Sequence, residues 1–310
     1  MKSLIEAVID NIKTNTVPYN DAAEEISQYL HGVFPPDEET REQWVEDYRT
    51  LTDEDIDAVT QAFENTYGIG SIARLIYMCK TGNLDAVMNC IQNGADIHAN
   101  NDLALRMASG EGHLEVVKYL VEQGADIHGF DNQALIWASG EGHLQVVQYL
   151  IEQGADIHAD DDGALKSASI NGHLDVVQCL VENGADIHSD HDLAFRHAAE
   201  NGHLEVVQYF VDQGADIHAE CEIYDTALEM AARYENFQVC DYLVSLGCDP
   251  QKVIDNESIE NKEWAYDFVE ARDFANKLTN DLGKADKLVS SINHDAEAPA
   301  KQSRSTRQKI

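Results

Sequence analysis

Nine histidines recur at a fixed spacing, and their chemistry has to be considered first. They end a GADIH motif or follow a glycine, and neighbours in each series are thirty residues apart: His98, His128, His158, His188 and His218; His113, His143, His173 and His203. Zinc needs its nitrogen ligands about 2.0–2.1 Å away, whereas equivalent residues on packed neighbouring helices lie about 10 Å apart. We therefore predict a structural role for the histidines and no metal site.

A run of three aspartates, Asp160 to Asp162, suggests calcium. A calcium loop needs oxygen ligands at positions 1, 3 and 5 and a glutamate at position 12. Counted from Asp160, position 5 is Ala164 and position 12 is Asn171. The pattern fails, and a solvated acidic loop tip is the better interpretation.

The six cysteines include no CxxC pair, and with no export signal they indicate reduced thiols that pack as small hydrophobes. The sequence contains no glycine-rich phosphate loop, no GxSxG, no HExxH and no kinase signature. We therefore predict no catalytic residue, no cofactor and no enzymatic activity. An active site within residues 1–70 remains the alternative.

The histidines belong to a repeat. GHLEVVKYLVEQGADIH begins at Gly112, and near-copies begin at Gly142, Gly172 and Gly202. A short apolar helix precedes each copy, and each copy predicts a second helix that stops at a glycine. Neither helix can bury its apolar face alone, so stacking of units explains why the pattern recurs.

These residues resemble the ankyrin repeat, whose second helix and exit turn correspond to GHLEVVKYLVEQGADI and whose first helix corresponds to ALxxAS or ALEMAA. The resemblance covers about residues 71–250 and implies six units of an all-α ankyrin-repeat solenoid. The repeat array, with its thirty-residue units, resembles the shortened ankyrin arrays of giant viruses and intracellular bacteria.

The units depart from the typical ankyrin length of about 33 residues. Seven positions separate His98 from Leu105, but ten separate His218 from Leu228. Three residues are therefore missing from the finger of the four central units and present in the last. We expect short loops in place of the family's hairpins.

The flanks do not repeat. Residues 1–70 predict an N-terminal helical domain, and residues 251–285 predict a C-terminal capping segment. Its helix, expected at 258–280, carries one apolar face: Trp264, Phe268, Ala271, Ala275 and Leu278. We expect this face to cap the open end of the solenoid, with partner binding as the alternative. Residues 286–310 predict a basic disordered tail.

Charge limits the class of partner. The chain has a net charge of −36, with −12 in residues 1–70 and −18 in residues 71–220. Such a chain repels nucleic acid and anionic membrane and attracts basic protein surfaces, unless the charge serves only solubility. No apolar run is long enough to span a membrane. We expect an intracellular, cytoplasmic protein, including the cytoplasm of a host cell.

Binding residues are sought where the units differ, on the loops and first helices of the predicted concave face. The candidate partner-binding residues are Asn101, Asp102, Arg106, Met107, Phe130, Asn132, Gln133, Ile136, Trp137, Asp161, Asp162, Lys166, His191, Asp192, Arg196 and His197. Phe130 and Trp137 are the best anchors, although Trp137 suits packing against the next unit equally well. The arginines and Lys166 either pair with loop aspartates or contact a partner.

Two hypotheses follow. In the first, the chain is a non-enzymatic interaction module that grips a protein partner with a basic surface. In the second, the chain is an acidic mimic of nucleic acid, a viral or phage counter-defence protein that occupies a basic nucleic-acid-binding site on a host protein.

Overall fold

The computed structural model describes residues 58, 70–219 and 225–296. Within these residues the chain forms paired antiparallel helices followed by two further helices, and no strand occurs among them. The pairs are α1 (Gly70–Thr81) with α2 (Leu84–Gln92), α3 (Ala99–Gly110) with α4 (Leu114–Glu122), α5 (Gly129–Gly140) with α6 (Leu144–Glu152), α7 (Ala159–Asn171) with α8 (Leu174–Glu182), α9 (Ser189–Glu200) with α10 (Leu204–Asp212), and α11 (Ala227–Arg233) with α12 (Phe237–Ser245); α13 (Gln251–Asp255) and α14 (Glu263–Ala296) follow.

The six pairs stack as a solenoid around one continuous core. Equivalent apolar residues of successive units lie completely buried beside one another, as Leu120, Leu150 and Leu180 do on the second helices. Each such side chain contributes about 1.5–3 kcal/mol by leaving water. The fold predicted from the thirty-residue period is therefore confirmed.

First helices of neighbouring units pack closely, whereas second helices approach one another more sparsely. The layer of first helices therefore follows the shorter, inner arc of the stack. The turns that precede these first helices line up along one edge, which we call the loop edge. It consists of residues 96–102 and the equivalent stretches 126–132, 156–162 and 186–192, with 216–219 at its end.

The loop edge is built from left-handed turns. Three residues before each central first helix have φ between 49° and 60°: Asn100–Asp102, Phe130–Asn132, Asp160–Asp162 and Asp190–Asp192. This conformation costs most L-residues about 1–2 kcal/mol, and asparagine and aspartate tolerate it best. Ten of these twelve positions are Asn or Asp. The short loops predicted in place of hairpins are thus tight left-handed turns.

The Gly-His pair joins one unit to the next. Gly172 has φ +78°, and a Cβ placed on it would lie 2.4 Å from Nδ1 of His203 in the following unit. The Nε2 atom of His203 donates to the carbonyl oxygen of Ile170 at 2.9 Å. The recurring glycine therefore supplies both a left-handed helix end and the space that the next histidine ring fills.

The last unit begins differently. Helix α11 starts after Thr226, whose side chain caps the backbone N–H of Glu229 while the Glu229 carboxylate accepts from the Thr226 backbone N–H. The first helices of the four central units have no such side-chain cap, so the last unit starts its first helix with a different device.

The predicted C-terminal cap is only partly correct. At the start of α14, the ring of Trp264 stacks on Phe237 of the last unit with centroids 6.2 Å apart, and its Nε1 donates to Asp241. From Ala271 to Lys287, however, every residue is exposed. Of the predicted face, Trp264 therefore packs against the solenoid, and Phe268 packs on the Trp264 ring with centroids 5.7 Å apart.

Helix α14 continues to Ala296, so the residues 286–296 that were predicted to be disordered are helical. The predicted N-terminal domain lies outside the described residues except for positions 58 and 70. Five cysteines (Cys79, Cys90, Cys179, Cys240 and Cys248) are free and buried, as predicted, and Cys221 lies outside the described residues.

Candidate partner-binding surface

A ladder of hydrogen bonds links the turns of the loop edge. In the first rung, Oδ1 of Asp102 accepts from the backbone N–H of Asp126 in the next unit at 2.9 Å and from Nδ1 of His98 at 3.1 Å. The same pair of bonds recurs at Asn132, Asp162 and Asp192. Because Oδ1 can only accept, the histidine Nδ1 donates in every rung.

The ladder corrects four predicted binding residues. Asp102, Asn132, Asp162 and Asp192 are buried, with at most 6% of each exposed. Their side chains join units and do not face a partner. The interpretation of residues 160–162 as a solvated tip is wrong for Asp162, although Asp160 and Asp161 are exposed.

Two predicted binding arginines are also buried. Arg196 has no exposed surface, and its Nε and Nη2 donate to the carbonyl oxygens of His191 and Asp190, each at 3.0 Å. Arg106 likewise donates from Nη2 to the carbonyl oxygen of Asn100 at 2.7 Å. These guanidiniums hold the carbonyls of their own left-handed turns, and their burial argues against direct contact with a partner. Met107, beside Arg106, is buried as well.

The junction between the second and third units carries two aromatic rings. The guanidinium carbon of Arg106 lies 5.0 Å from the ring centre of Phe130 and 5.5 Å from that of Trp137. Gln133 completes the cluster, since its Oε1 accepts from Nη1 of Arg106. Trp137 is half-buried, and its contact with Arg106 is made with the preceding unit, whereas the predicted packing role was against the next unit.

Phe130 is the unusual member of this cluster. It is 54% exposed and has φ 49°, at the turn position that is Asn100, Asp160 and Asp190 in the other units. Because most of its ring is exposed, Phe130 gains little stability from burial. A left-handed backbone also has a higher conformational free energy for a bulky residue than for Asn or Asp. Such strain often accompanies a functional role.

The other candidates are accessible. Asn101, Asp161 and His191 occupy the exposed middle position of their turns, and Ile136 and Lys166 are half-buried at the helix position that Arg106 and Arg196 fill elsewhere. His197 is half-buried, with its Nδ1 2.9 Å from Oε2 of Glu200.

The strongest electrostatic feature of the loop edge was missed from the sequence. Nine aspartates along it are exposed: Asp96, Asp126, Asp131, Asp156, Asp160, Asp161, Asp186, Asp190 and Asp216. Five of them end the GAD motif, which is identical in these five units, so they are not among the positions that differ between units. The edge therefore presents a row of carboxylates that continues through five units, with the Phe130–Trp137 cluster beside it.

Among the residues that the structure describes, no three His, Cys, Asp or Glu side chains are grouped so that they could hold a metal ion. Within the same residues, no helix combines the length and apolar character needed to cross a membrane.

Comparison with known proteins agrees with this architecture. The family model described as "Ankyrin repeats (3 copies)" matches residues 54–131, 75–161, 128–191 and 165–254. The chain therefore belongs to the ankyrin-repeat family, as its motifs predicted. The first match begins at residue 54, seventeen residues before residue 71, where the repeats were predicted to start.

Among solved structures, the human ASB11 ankyrin repeat domain is similar in fold. It has a TM-score of 0.51 and 24% identity, and the match covers 61% of this chain and 89% of that one. A comparison with curated proteins gave no match. Ankyrin repeats generally mediate protein–protein interaction and are typically non-enzymatic.

Proposed function

We propose that the solenoid binds a protein partner with a basic surface, using the loop edge for electrostatic attraction and the Phe130–Trp137 cluster as its apolar anchor. The observation that carries this proposal is the row of nine exposed aspartates beside an exposed, conformationally strained Phe130. Charge rows of this kind raise association rates and select partners. Partly buried aromatic side chains supply most of the binding energy in many interfaces.

The accessible candidate residues, Asn101, Gln133, Ile136, Asp161, Lys166, His191 and His197, complete this proposed surface. A standard interface of about 800 Å² per partner would extend over several units. We propose a non-enzymatic role, because the polar side chains of the solenoid recur in every unit and are explained by its repeating structure. We also propose a cytoplasmic location, because the buried free thiols suit a reducing compartment.

The spacing of the carboxylates favours a second candidate function, inhibition by mimicry of nucleic acid. Five turns about 10 Å apart span about 40 Å, so nine aspartates give one exposed charge every 4–5 Å or so. One DNA strand carries a phosphate about every 3.4 Å. A basic nucleic-acid-binding site on a host protein would then be the target, as expected for a viral or bacterial effector.

The two functions are separated by capture from cell lysate on the immobilised full chain, washed in parallel at 0.1 and 0.5 M salt. An interaction module anchored by the aromatic cluster keeps its partner at 0.5 M salt and loses it in the Trp137→Ala variant. A mimic loses a basic, nucleic-acid-binding partner at 0.5 M salt and releases it when DNA or RNA is added.

Leu246→Ala is the matched control, because Leu246 is exposed on the last unit away from the cluster. Equal capture by wild type, Trp137→Ala and a solenoid with its loop-edge aspartates replaced by asparagine would exclude both functions.

A further inference from the structure

The second half of α14 carries an apolar stripe. Phe274, Leu278 and Leu282 are 70%, 52% and 59% exposed, and no described residue covers them. Most of the stability of a protein helix comes from packing of its apolar face, and three large exposed hydrophobic side chains on one helix are costly. The stripe therefore indicates a surface that is covered in the functional protein.

Leu278 and Leu282 belong to a longer apolar series, which Phe274 flanks at the position before Ala275, and the spacing of that series indicates what covers the stripe. Trp264, Phe268, Ala271, Ala275 and Leu278 follow one another at alternating intervals of four and three residues, and the sequence continues this rhythm through Leu282, Ala285, Val289 and Ile292. Eight intervals over 28 residues give an average of 3.5 residues. A period of 3.5 keeps apolar residues facing another helix along a supercoil, whereas a helix on a globular surface follows a period of about 3.6.

Charge identifies which helix that is. Residues 271–296 carry four basic and four acidic residues and are neutral, in a chain whose net charge is −36. Opposite charges alternate along the helix, as in the Lys284–Asp281 pair at 3.2 Å. Two copies can approach here without the repulsion that their solenoids, at −18 for residues 71–220, would impose. Residues 1–70 carry a net charge of −12, so they offer the neutral stripe no electrostatic attraction.

We propose that α14 pairs with α14 of a second copy of this chain, so that the protein is a homodimer held by a short coiled coil. Leu278 and Leu282 lie at the centre of the seam, while Trp264 keeps its contact with the solenoid of its own chain. The dimer presents two acidic loop edges, and a partner with two basic surfaces would bind both with raised effective concentration.

The test is the molar mass of the full chain, measured by size-exclusion chromatography with light scattering at micromolar concentration and about 0.15 M salt. We expect twice the 34.4 kDa of one chain for wild type. The double variant Leu278→Lys/Leu282→Lys places four ammonium groups in the seam of the dimer and should elute at 34.4 kDa.

The double variant Asn276→Lys/Asn280→Lys is the matched control, because it adds the same charge to exposed positions away from the stripe. It should remain dimeric. A monomeric wild type overturns the proposal, and so does a dimer that survives in the leucine variant, because that dimer would be held by another part of the chain.

Discussion

The guanidinium carbon of Arg106 lies 5.5 Å from the ring centre of Trp137, across the boundary between two units. Arg106 is buried and bonded to its own turn, so it fixes the aromatic ring instead of meeting a partner itself. The buried Arg106 of one unit thus holds the half-buried Trp137 of the next in a defined position.

The strained conformation of Phe130 predicts that its replacement will weaken partner binding without weakening the fold. The Phe130→Asn substitution installs the residue that Asn100 represents in the neighbouring unit, where the left-handed turn is well tolerated. Relief of strain should offset loss of the cation–π contact, and the free energy of unfolding should change by less than about 1 kcal/mol. Partner affinity should fall by about 30-fold, the loss of about 2 kcal/mol expected for an anchor. Urea unfolding and a binding titration measure the two quantities. A loss of stability with unchanged affinity would show that Phe130 serves the fold.

The ladder at the loop edge predicts that its buried acceptors stabilise the fold through their hydrogen bonds and not through their charge. Asn132 makes the same two bonds as Asp162. Asp162→Asn should therefore leave thermal unfolding nearly unchanged. Asp162→Ala removes the buried acceptor of the Asp186 N–H and of Nδ1 of His158, so it should cost about 1–3 kcal/mol. Equal destabilisation by both substitutions would mean that the carboxylate charge is the important property.

The Gly172–His203 contact predicts unequal costs for two glycine substitutions. Gly184 also has a left-handed backbone, φ +105°, but a Cβ there meets no atom within 4 Å. Gly184→Ala should cost only the conformational strain, about 1–2 kcal/mol. Gly172→Ala adds the collision with the His203 ring and should cost about 1–3 kcal/mol more. Chemical denaturation of the two variants checks this, and a second measurement in a His203→Ala background should abolish the difference. Persistence of the difference without the ring would contradict the assigned contact.

Burial of the thiols predicts a loss of stability in alkali. Burial, reinforced by Asp241, raises the pKa of the Cys240 thiol from 9.0 to about 12. The unfolded chain therefore releases this proton above pH 9 while the folded chain retains it until about pH 12, so the folded state loses stability progressively between these values. Burial also raises the pKa of Cys79. Both thiols should resist alkylation at pH 8 in the native protein and react readily in urea, as mass mapping of iodoacetamide adducts would show. Rapid native labelling of Cys240 would contradict its buried position.

The repeat units were predictable because their apolar positions recur in every copy, as Leu120 and Leu150 do. The left-handed turns were not predictable in the same way. Asp160 and Asp161 have a composition that fits solvated loops as well as left-handed backbone, and only the geometry distinguishes them. The burial of Arg196 was equally hidden, because its partners are backbone carbonyls, which leave no signal in the types of neighbouring residues.

The candidate surface was only partly predictable for a related reason. Residues that differ between copies include Phe130 and Trp137, and these are accessible. The exposed aspartates of the GAD motif, such as Asp126 and Asp156, are identical in every unit and so resemble packing residues in sequence. Their exposure depends on which side of the turn faces solvent, and that is a property of the fold.

The central claim is that the loop edge, and not the total charge, binds the partner. Two triple variants change the net charge equally: Asp131→Asn/Asp160→Asn/Asp161→Asn on the loop edge, and Glu122→Gln/Glu152→Gln/Glu182→Gln on the exposed ends of the second helices. The measurement is the affinity of each triple variant for the captured partner at 0.15 M salt. At this salt concentration, screening limits the range of interactions between exposed charges to about 8 Å. The account predicts a more than tenfold loss for the loop-edge variant and little change for the second-helix variant. Equal losses, or none in either, would contradict it.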